Sequence, residues 1–324
     1  MSTDLEISFW VKLPAKIEEE GEMVVPAKLF SELVSSLPVG VVDLSFEKDT
    51  LKIEAKGISA EIVGQGADDF PSIPRAKKTQ LTLKSGEFRQ KMDRVCVSAA
   101  RDDSRPVLTG VLWVLSEKET TLVATDGFRL SVDKLEVAKS SLEKDARFIL
   151  PARSLSEVSK VLSETGEDSF GVEFDKDNQQ VIFTVADMEV SSRLIAGEFP
   201  PYQQIMPNTY STRTAFRREE LLEAVKRASL FAKDSANIIK TTIEESGMVV
   251  KAESSQLGSN STVIDAEVEG GGLTVAFNAR YLLDYLAVNN VERIAWETEG
   301  ELKPSVFRSE SDDGWVQVIM PVRI

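Results

Sequence analysis

VPAKLFSELV (residues 25–34), LPARSLSEVS (150–159) and FNARYLLDYL (277–286) are three copies of one pattern: an alanine, a base directly after it, and an acid four residues beyond the base. The bases are Lys28, Arg153 and Arg280, and the acids are Glu32, Glu157 and Asp284. Pro26, Pro151 and Asn278 hold the equivalent position, so the copies recur about every 125 residues, and a repeat decides the architecture before any single element does. Other landmarks keep the rhythm. ADDFPSIP (67–74) returns as AGEFPPYQQIMP (196–207), and the chain closes on QVIMPVRI (317–324). Upstream of each proline turn, DLSFEKDTLKIEAKGISAEI, GVEFDKDNQQVIFTVADMEV and RIAWETEGELKPSVFRSESD alternate apolar and polar residues. That alternation predicts antiparallel strand pairs, so each repeat is mostly β with few helices.

The middle and last repeats each open with a second amphipathic helix. In SGEFRQKMDRVCVSAA, Phe88, Met92, Val95 and Ala99 follow steps of four, three and four and share one face. In RREELLEAVKRASLFAKD the same face is Leu221, Val225, Ala228 and Ala232, and Arg218, Lys226 and Lys233 form a basic stripe within roughly an 80° arc beside it. No such helix precedes the first repeat, because residue 1 already lies in the strand-like TDLEISFWVKL. The period therefore predicts that roughly 40–50 residues are missing from the first repeat. Polar connectors are expected near residues 75–80 and 207–214, dividing the chain into domains at 1–77, 78–207 and 208–324.

Composition narrows the chemistry. A 324-residue chain with 42% hydrophobic and 28% charged residues has the balance of two or three globular domains. It carries no membrane-length apolar run and no signal segment, which predicts a cytoplasmic protein without a membrane partner. One cysteine, Cys96, excludes an intrachain disulfide and multi-cysteine metal sites, and reads as a buried small hydrophobe. The absence of histidine removes Ser-His-Asp and Cys-His systems and the commonest general base. The net charge of −15 taken alone argues against nucleic acid, although one basic face can oppose the total.

LVATDGFRL (122–130) after SRPVLTGVLW (104–113), with EFPPYQQIMP (198–207) and the terminal IMPVRI, is similar over the whole chain to the bacterial sliding clamps, the beta subunits of DNA polymerase III. The resemblance implies an α+β chain of three tandem DNA-clamp domains, each with two helices against two antiparallel sheets, the first incomplete at its N-terminus. It implies a non-catalytic accessory subunit with no cofactor or metal, whose homodimer closes head to tail into a ring around double-stranded DNA of any sequence. Lys28 and Arg153, by repeat symmetry Arg280, and the loop residues Arg101 and Arg105 are then expected to face DNA. On the residues alone, Lys28/Glu32, Arg153/Glu157 and Arg280/Asp284 read first as exposed helical pairs worth at most ~0.3–0.5 kcal/mol each, and only the resemblance turns the bases toward DNA.

The family's second site is a groove between the middle and last domains that takes extended peptides from the replicative polymerase, the clamp loader and repair polymerases. The resemblance places Leu108, Thr125, Gly127, Arg129 and Leu130 there from the middle domain, with Pro200 and Ile205 from the following turn. Asn278, Tyr281, Val318, Met320, Pro321 and Arg323 join them from the last domain. Leu108, Leu130, Val318 and Met320 read equally as core, and Gly127 as an ordinary Asp-Gly turn. Phe128, Gln204 and Ala236 stand where the family often has histidine, arginine and an aromatic, which bears on peptide preference. The strand ISAEIV (58–63), with Ile62, is expected to meet Leu230 and Phe231 of a second copy.

Two other classes compete. One is a repeat-built peptide-binding scaffold that never touches DNA; the other is a carboxylate or metal-dependent hydrolase using Asp68/Asp69, Asp102/Asp103, Asp312/Asp313 or Glu18–Glu20. Those acids do not gather in a recognisable motif, no phosphate-loop or dinucleotide fingerprint is present, and GGG at 270–272 reads as a turn.

Overall fold

A computed structural model describes residues 1–142, 144–175, 177–245, 247–311 and 314–323; Asp312 and Asp313 lie outside the described residues. The chain divides into two compact units, residues 1–75 with 187–191, and residues 76–186 with 192–324.

In the first unit, the alternating segment at residues 42–63 folds as a three-stranded antiparallel sheet. Its strands Val42–Glu47, Thr50–Ala55 and Ile58–Val63 pair in chain order. Ile53 and Ile62 turn inward and are buried. Gly57, at φ +75, closes the second turn in a conformation that a residue without Cβ adopts at no steric cost. Helix α1 (Ala27–Ser36) follows the first copy of the repeat and carries no buried residue; Leu29 and Val34 on it, and Leu44 and Phe46 on the first strand, are exposed. Arg75 lies 3.3 Å over the Trp10 ring and donates to both Glu189 oxygens, at 2.7 and 3.1 Å.

The second unit holds helices α2 (Ser85–Cys96), α3 (Ala152–Thr165), α4 (Arg218–Ala232) and α5 (Ala279–Val288), with α2 packed on α3 and α4 on α5. The faces read from spacing are the buried ones: Phe88, Met92, Val95 and Ala99 in the middle repeat, and Leu221, Val225, Ala228 and Ala232 in the last. Phe88 meets Phe170 edge-on at 4.9 Å, while Phe277, Trp296, Phe307, Tyr285 and Trp315 form a continuous aromatic core in the last repeat. The expected connector at 207–214 is shorter than its polar composition suggested. Thr212–Arg217 is a strand, because Thr214 and Phe216 of TRTAFR alternate into the interior between strands Gly258–Glu269 and Arg293–Thr298.

One antiparallel sheet crosses from the middle repeat to the last. Arg129–Glu136 pairs with Val316–Ile319, setting Val132 opposite Val316 and Leu130 opposite Val318. Buried polar groups fasten the same joint. Trp315 Nε1 donates to Ser131 Oγ at 2.7 Å, Ser131 Oγ to the Arg94 carbonyl at 3.0 Å, and Gln317 Nε2 to Ser98 Oγ at 3.1 Å. Arg94 lies 4.9 Å over the Trp315 ring and 3.5 Å from the Asp133 carboxylate, which also takes Lys91 at 2.9 Å.

The other face of the last repeat's sheet carries a ladder of ion pairs. Arg293 reaches Glu267 and Glu310, each at 2.8 Å, Arg213 reaches Glu310 at 2.8 Å, and Arg308 reaches Glu297 at 3.2 Å. Hydrogen bonds from Arg293 and Arg213 hold the Glu310 carboxyl below its ordinary value of 4.5. A depressed folded-state value contributes stability that is present above the unfolded value and is lost as pH falls through the folded one. The urea midpoint is therefore expected to fall more gently below pH 4.5 in Glu310→Gln than in the parent chain; parallel midpoint-against-pH curves for the two would show that the ladder carries no such linkage.

Candidate functional site

Side chains two apart in a strand share a face. Val132, Leu130 and, just before the strand, Phe128 therefore form one apolar row. Val316, Val318 and Met320 form the opposing row, with the pairing carried one step further by the Met320 N–H donating to the Phe128 carbonyl at 2.8 Å. The inner end of this double row is sealed. Leu130 and Val318 are 2% and 1% exposed beneath Phe199, Tyr202 and Met206 of the segment that ends the middle domain. The outer end is open, with Phe128 59% exposed and Met320 half-buried. Of the residues expected here, Leu130 and Val318 form the floor, and Leu108 is buried, so none of the three is accessible lining. Pro200, Asn278, Tyr281, Met320 and Pro321 are half-buried, and Ile205 and Arg323 are exposed.

The Thr125–Arg129 turn that presents Phe128 is fixed by its own polar atoms. Thr125 Oγ1 donates to the Arg129 carbonyl at 2.6 Å and accepts from Gly127 N–H at 3.0 Å. Asp126 Oδ1 accepts from the N–H groups of Phe128 and Arg129 at 2.9 and 3.0 Å. Gly127 sits at φ +93, a conformation that calls for glycine, against the Arg105 guanidinium, whose Nη2 would lie 3.1 Å from a Cβ placed there. Arg105 Nη2 itself donates to the Asp126 carbonyl at 3.0 Å.

Arg129 is 5% exposed, and its charge is balanced on two sides, by Asp126 at 3.0 Å and by Asp284 of α5 at 2.8 Å, with the Tyr281 ring 4.6 Å from its guanidinium carbon. Burial, then the neighbouring Asp126, push the Tyr281 hydroxyl above its ordinary value. Asn278 caps α5, its Oδ1 accepting from Arg280 N–H at 3.0 Å, which satisfies a donor the helix leaves orphaned. Arg129 and Asp284 are 155 positions apart, and nothing in the i,i+4 spacing of Arg280 and Asp284 pointed to their pairing.

The other expected contact residues fall as follows. Arg101 and Arg105 are exposed but lean on the groove: Arg101 Nη2 is 3.9 Å from the Asp284 oxygen that Arg129 uses. Arg153 on α3 and Arg280 on α5 are exposed, and Glu157 accepts from Lys160 at 2.8 Å. Lys28 in the first unit is 3.9 Å from Glu32, both well exposed. Arg218, read as part of a basic stripe, donates instead to the Leu286 carbonyl at the end of α5, at 3.1 Å. Ile62 is 2% exposed, so the accessible part of its strand is the outer backbone edge rather than that side chain; Leu230 is 58% exposed and Phe231 is half-buried against the last repeat's core.

Three domain families match consecutive stretches of the chain: DNA polymerase III beta subunit, N-terminal domain over residues 1–74, central domain over 82–201 and C-terminal domain over 203–323. The chain is 29% identical to the beta sliding clamp of Staphylococcus aureus over 99% of its own length and 87% of that protein's. The beta subunit of Thermotoga maritima superposes with a TM-score of 0.92 at 30% identity, covering 100% of this chain and 87% of the other. The sliding clamp of Bacillus subtilis gives 0.90 at 26%, covering 99% and 87%. With all three domains in order and this fold, the chain belongs to the DNA polymerase III beta subunit family, the sliding clamps.

Proposed function

We propose that two copies of this chain join head to tail into a ring that encircles duplex DNA and tethers the replicative polymerase, the clamp loader and repair polymerases through the groove between the second and third domains. The tether rests on one observation, an apolar double row sealed at Leu130/Val318 and open at Phe128/Met320, with arginines along its rim. Such a trough offers apolar anchorage and few polar groups, as short extended peptides require. Lys28, Arg153 and Arg280, at one position in three repeats, would meet phosphates and leave base edges unread, which suits a protein that moves along any sequence. The backbone edge of Ile58–Val63, with Leu230 and Phe231 opposite, would join the two copies.

Topological linkage has a direct test. Loaded by its cognate loader onto a nicked circular plasmid, the protein is expected to co-elute with the DNA in gel filtration and to be released when one restriction cut linearises it. Arg153→Glu is expected to lower loading while leaving peptide binding intact. Retention that is equal on circular and linear DNA would remove the ring reading, and a peptide-binding protein never retained on circles would be the DNA-independent scaffold instead.

A further inference from the structure

We propose that the strand Val42–Glu47 pairs with the same strand of a second copy of this chain, antiparallel and about a two-fold axis at Leu44. The three-stranded sheet of the first unit ends in this strand, and among the described residues no backbone hydrogen bond occupies its outer edge. The opposite edge, Ile58–Val63, is the one the proposed ring joint uses, so this contact is separate from that joint and does not rest on it.

Three observations select a second copy as the occupant. The first is the face that Val42, Leu44 and Phe46 share, which is apolar across all three strands but loses its cover toward the free edge. Ile53 and Ile62 on it are 0% and 2% exposed, whereas Val42, Leu44 and Phe46 are 38%, 56% and 47% exposed. The second is that VDLSFE lacks the devices that ordinarily guard an edge: it has no proline and no lysine, and it pairs residue for residue with Thr50–Ala55 without a bulge. The third is charge. With Leu44 opposite its own copy, Val42 meets Phe46 and Asp43 meets Ser45, so no acid faces an acid. Sliding the pairing by two residues sets Asp43 against Asp43 in one direction and against Glu47 in the other. Sliding it by one lays the apolar face of one sheet beside the polar face of the other. A single register therefore joins apolar to apolar and keeps the acids apart, and its two-fold symmetry closes the assembly at two copies. An edge of six residues is smaller than the ~800 Å² per partner of a stable interface, so the pairing is expected to be weak and concentration-dependent.

Cysteine cross-linking of the full chain reads the register directly. In a Cys96→Ala background, which removes the only native thiol, Leu44→Cys sets two thiols on directly opposed residues. Their Cα atoms would lie ~4.5–5.5 Å apart, within reach of a disulfide. Oxidised glutathione is expected to give a covalent dimer whose yield rises with protein concentration. Phe46→Cys is expected to give none, because the same position in the second copy lies ~13 Å along the opposing strand. A mixture of Val42→Cys and Phe46→Cys is expected to give the mixed dimer. In sedimentation velocity, raising the concentration from about 1 to 100 µM is expected to shift the mass of Leu230→Asp, a ring-joint variant, toward twofold, and Leu44→Lys is expected to remove that step. No cross-link at Leu44→Cys, equal cross-linking at Phe46→Cys, or a mass step in Leu230→Asp that survives the addition of Leu44→Lys overturns the inference. Association that is lost in Leu230→Asp and unchanged by Leu44→Lys belongs to the ring joint alone, which leaves the ring reading standing while this one falls.

Discussion

Asp133→Ala is expected to cost ~3–5 kcal/mol of unfolding free energy, because it removes the buried carboxylate that both Lys91 and Arg94 face and leaves those two cations in place. The Asp133 side chain has no exposure, and Lys91 and Arg94 retain only 12% and 3% of theirs. Burial pushes the Asp133 carboxyl above its ordinary value of 3.8 despite both cations, so placing the charge there is costly and the two partners offset only part of it. The sign is opposite to that of Glu310. A raised folded-state value means the native protein holds the proton more tightly, so this group's contribution weakens as pH rises from 3.8 through the folded value. Guanidinium unfolding at pH 7 measures the loss. Pairing Asp133→Leu with Arg94→Met should restore much of it, since apolar packing can replace an ion pair but not half of one. A single alanine variant within about 1 kcal/mol of the parent would mean that water reaches the cluster.

Trp315→Ala is expected to cost a comparable ~3–5 kcal/mol and, unlike other core truncations, to weaken the groove. Trp315 is 2% exposed, packs at 4.8 Å from Tyr285 and under Arg94, and donates to Ser131 across the domain joint. The residues after it, Val316, Val318 and Met320, supply one side of the groove. Trp296→Ala is the control. It empties a similar volume in the same aromatic core, but its strand lies two places further along the sheet. Both variants should unfold earlier, and only Trp315→Ala should lose peptide affinity when both are measured well below their unfolding temperatures. Equal peptide losses in the two would mean that the joint and the last domain's core cannot be separated.

Much of this architecture is written in local pattern. Phe88, Met92, Val95 and Ala99 announce their face by spacing alone, and the antiparallel strands of the three alternating segments announce themselves by alternation, although the first segment holds three strands where a pair is expected. The Ala-base-acid repeat supplied the domain count. What could not be read locally depends on partners far along the chain. Asp284 sits one helical turn from Arg280 yet binds Arg129, since a buried guanidinium with an aromatic face beside it draws a carboxylate more strongly than an exposed neighbour does. Arg105 packs on Gly127 only because the turn at 126–127 brings a bare Cα beneath it. Leu130 follows the ordinary alternation of its strand, but which face becomes interior is decided by Phe199, Tyr202 and Met206 laid over it.

The strand pairing of residues 129–132 with 316–319 also bears on how such a protein is mechanically compliant. Backbone hydrogen bonds, a tryptophan anchor and a buried ion cluster cross one seam, so the second and third domains should bend and melt as a single rod. If two copies close into the proposed ring, the hinge through which a double helix enters would lie away from this seam, and the proposed peptide seat would stay undistorted while the ring is open.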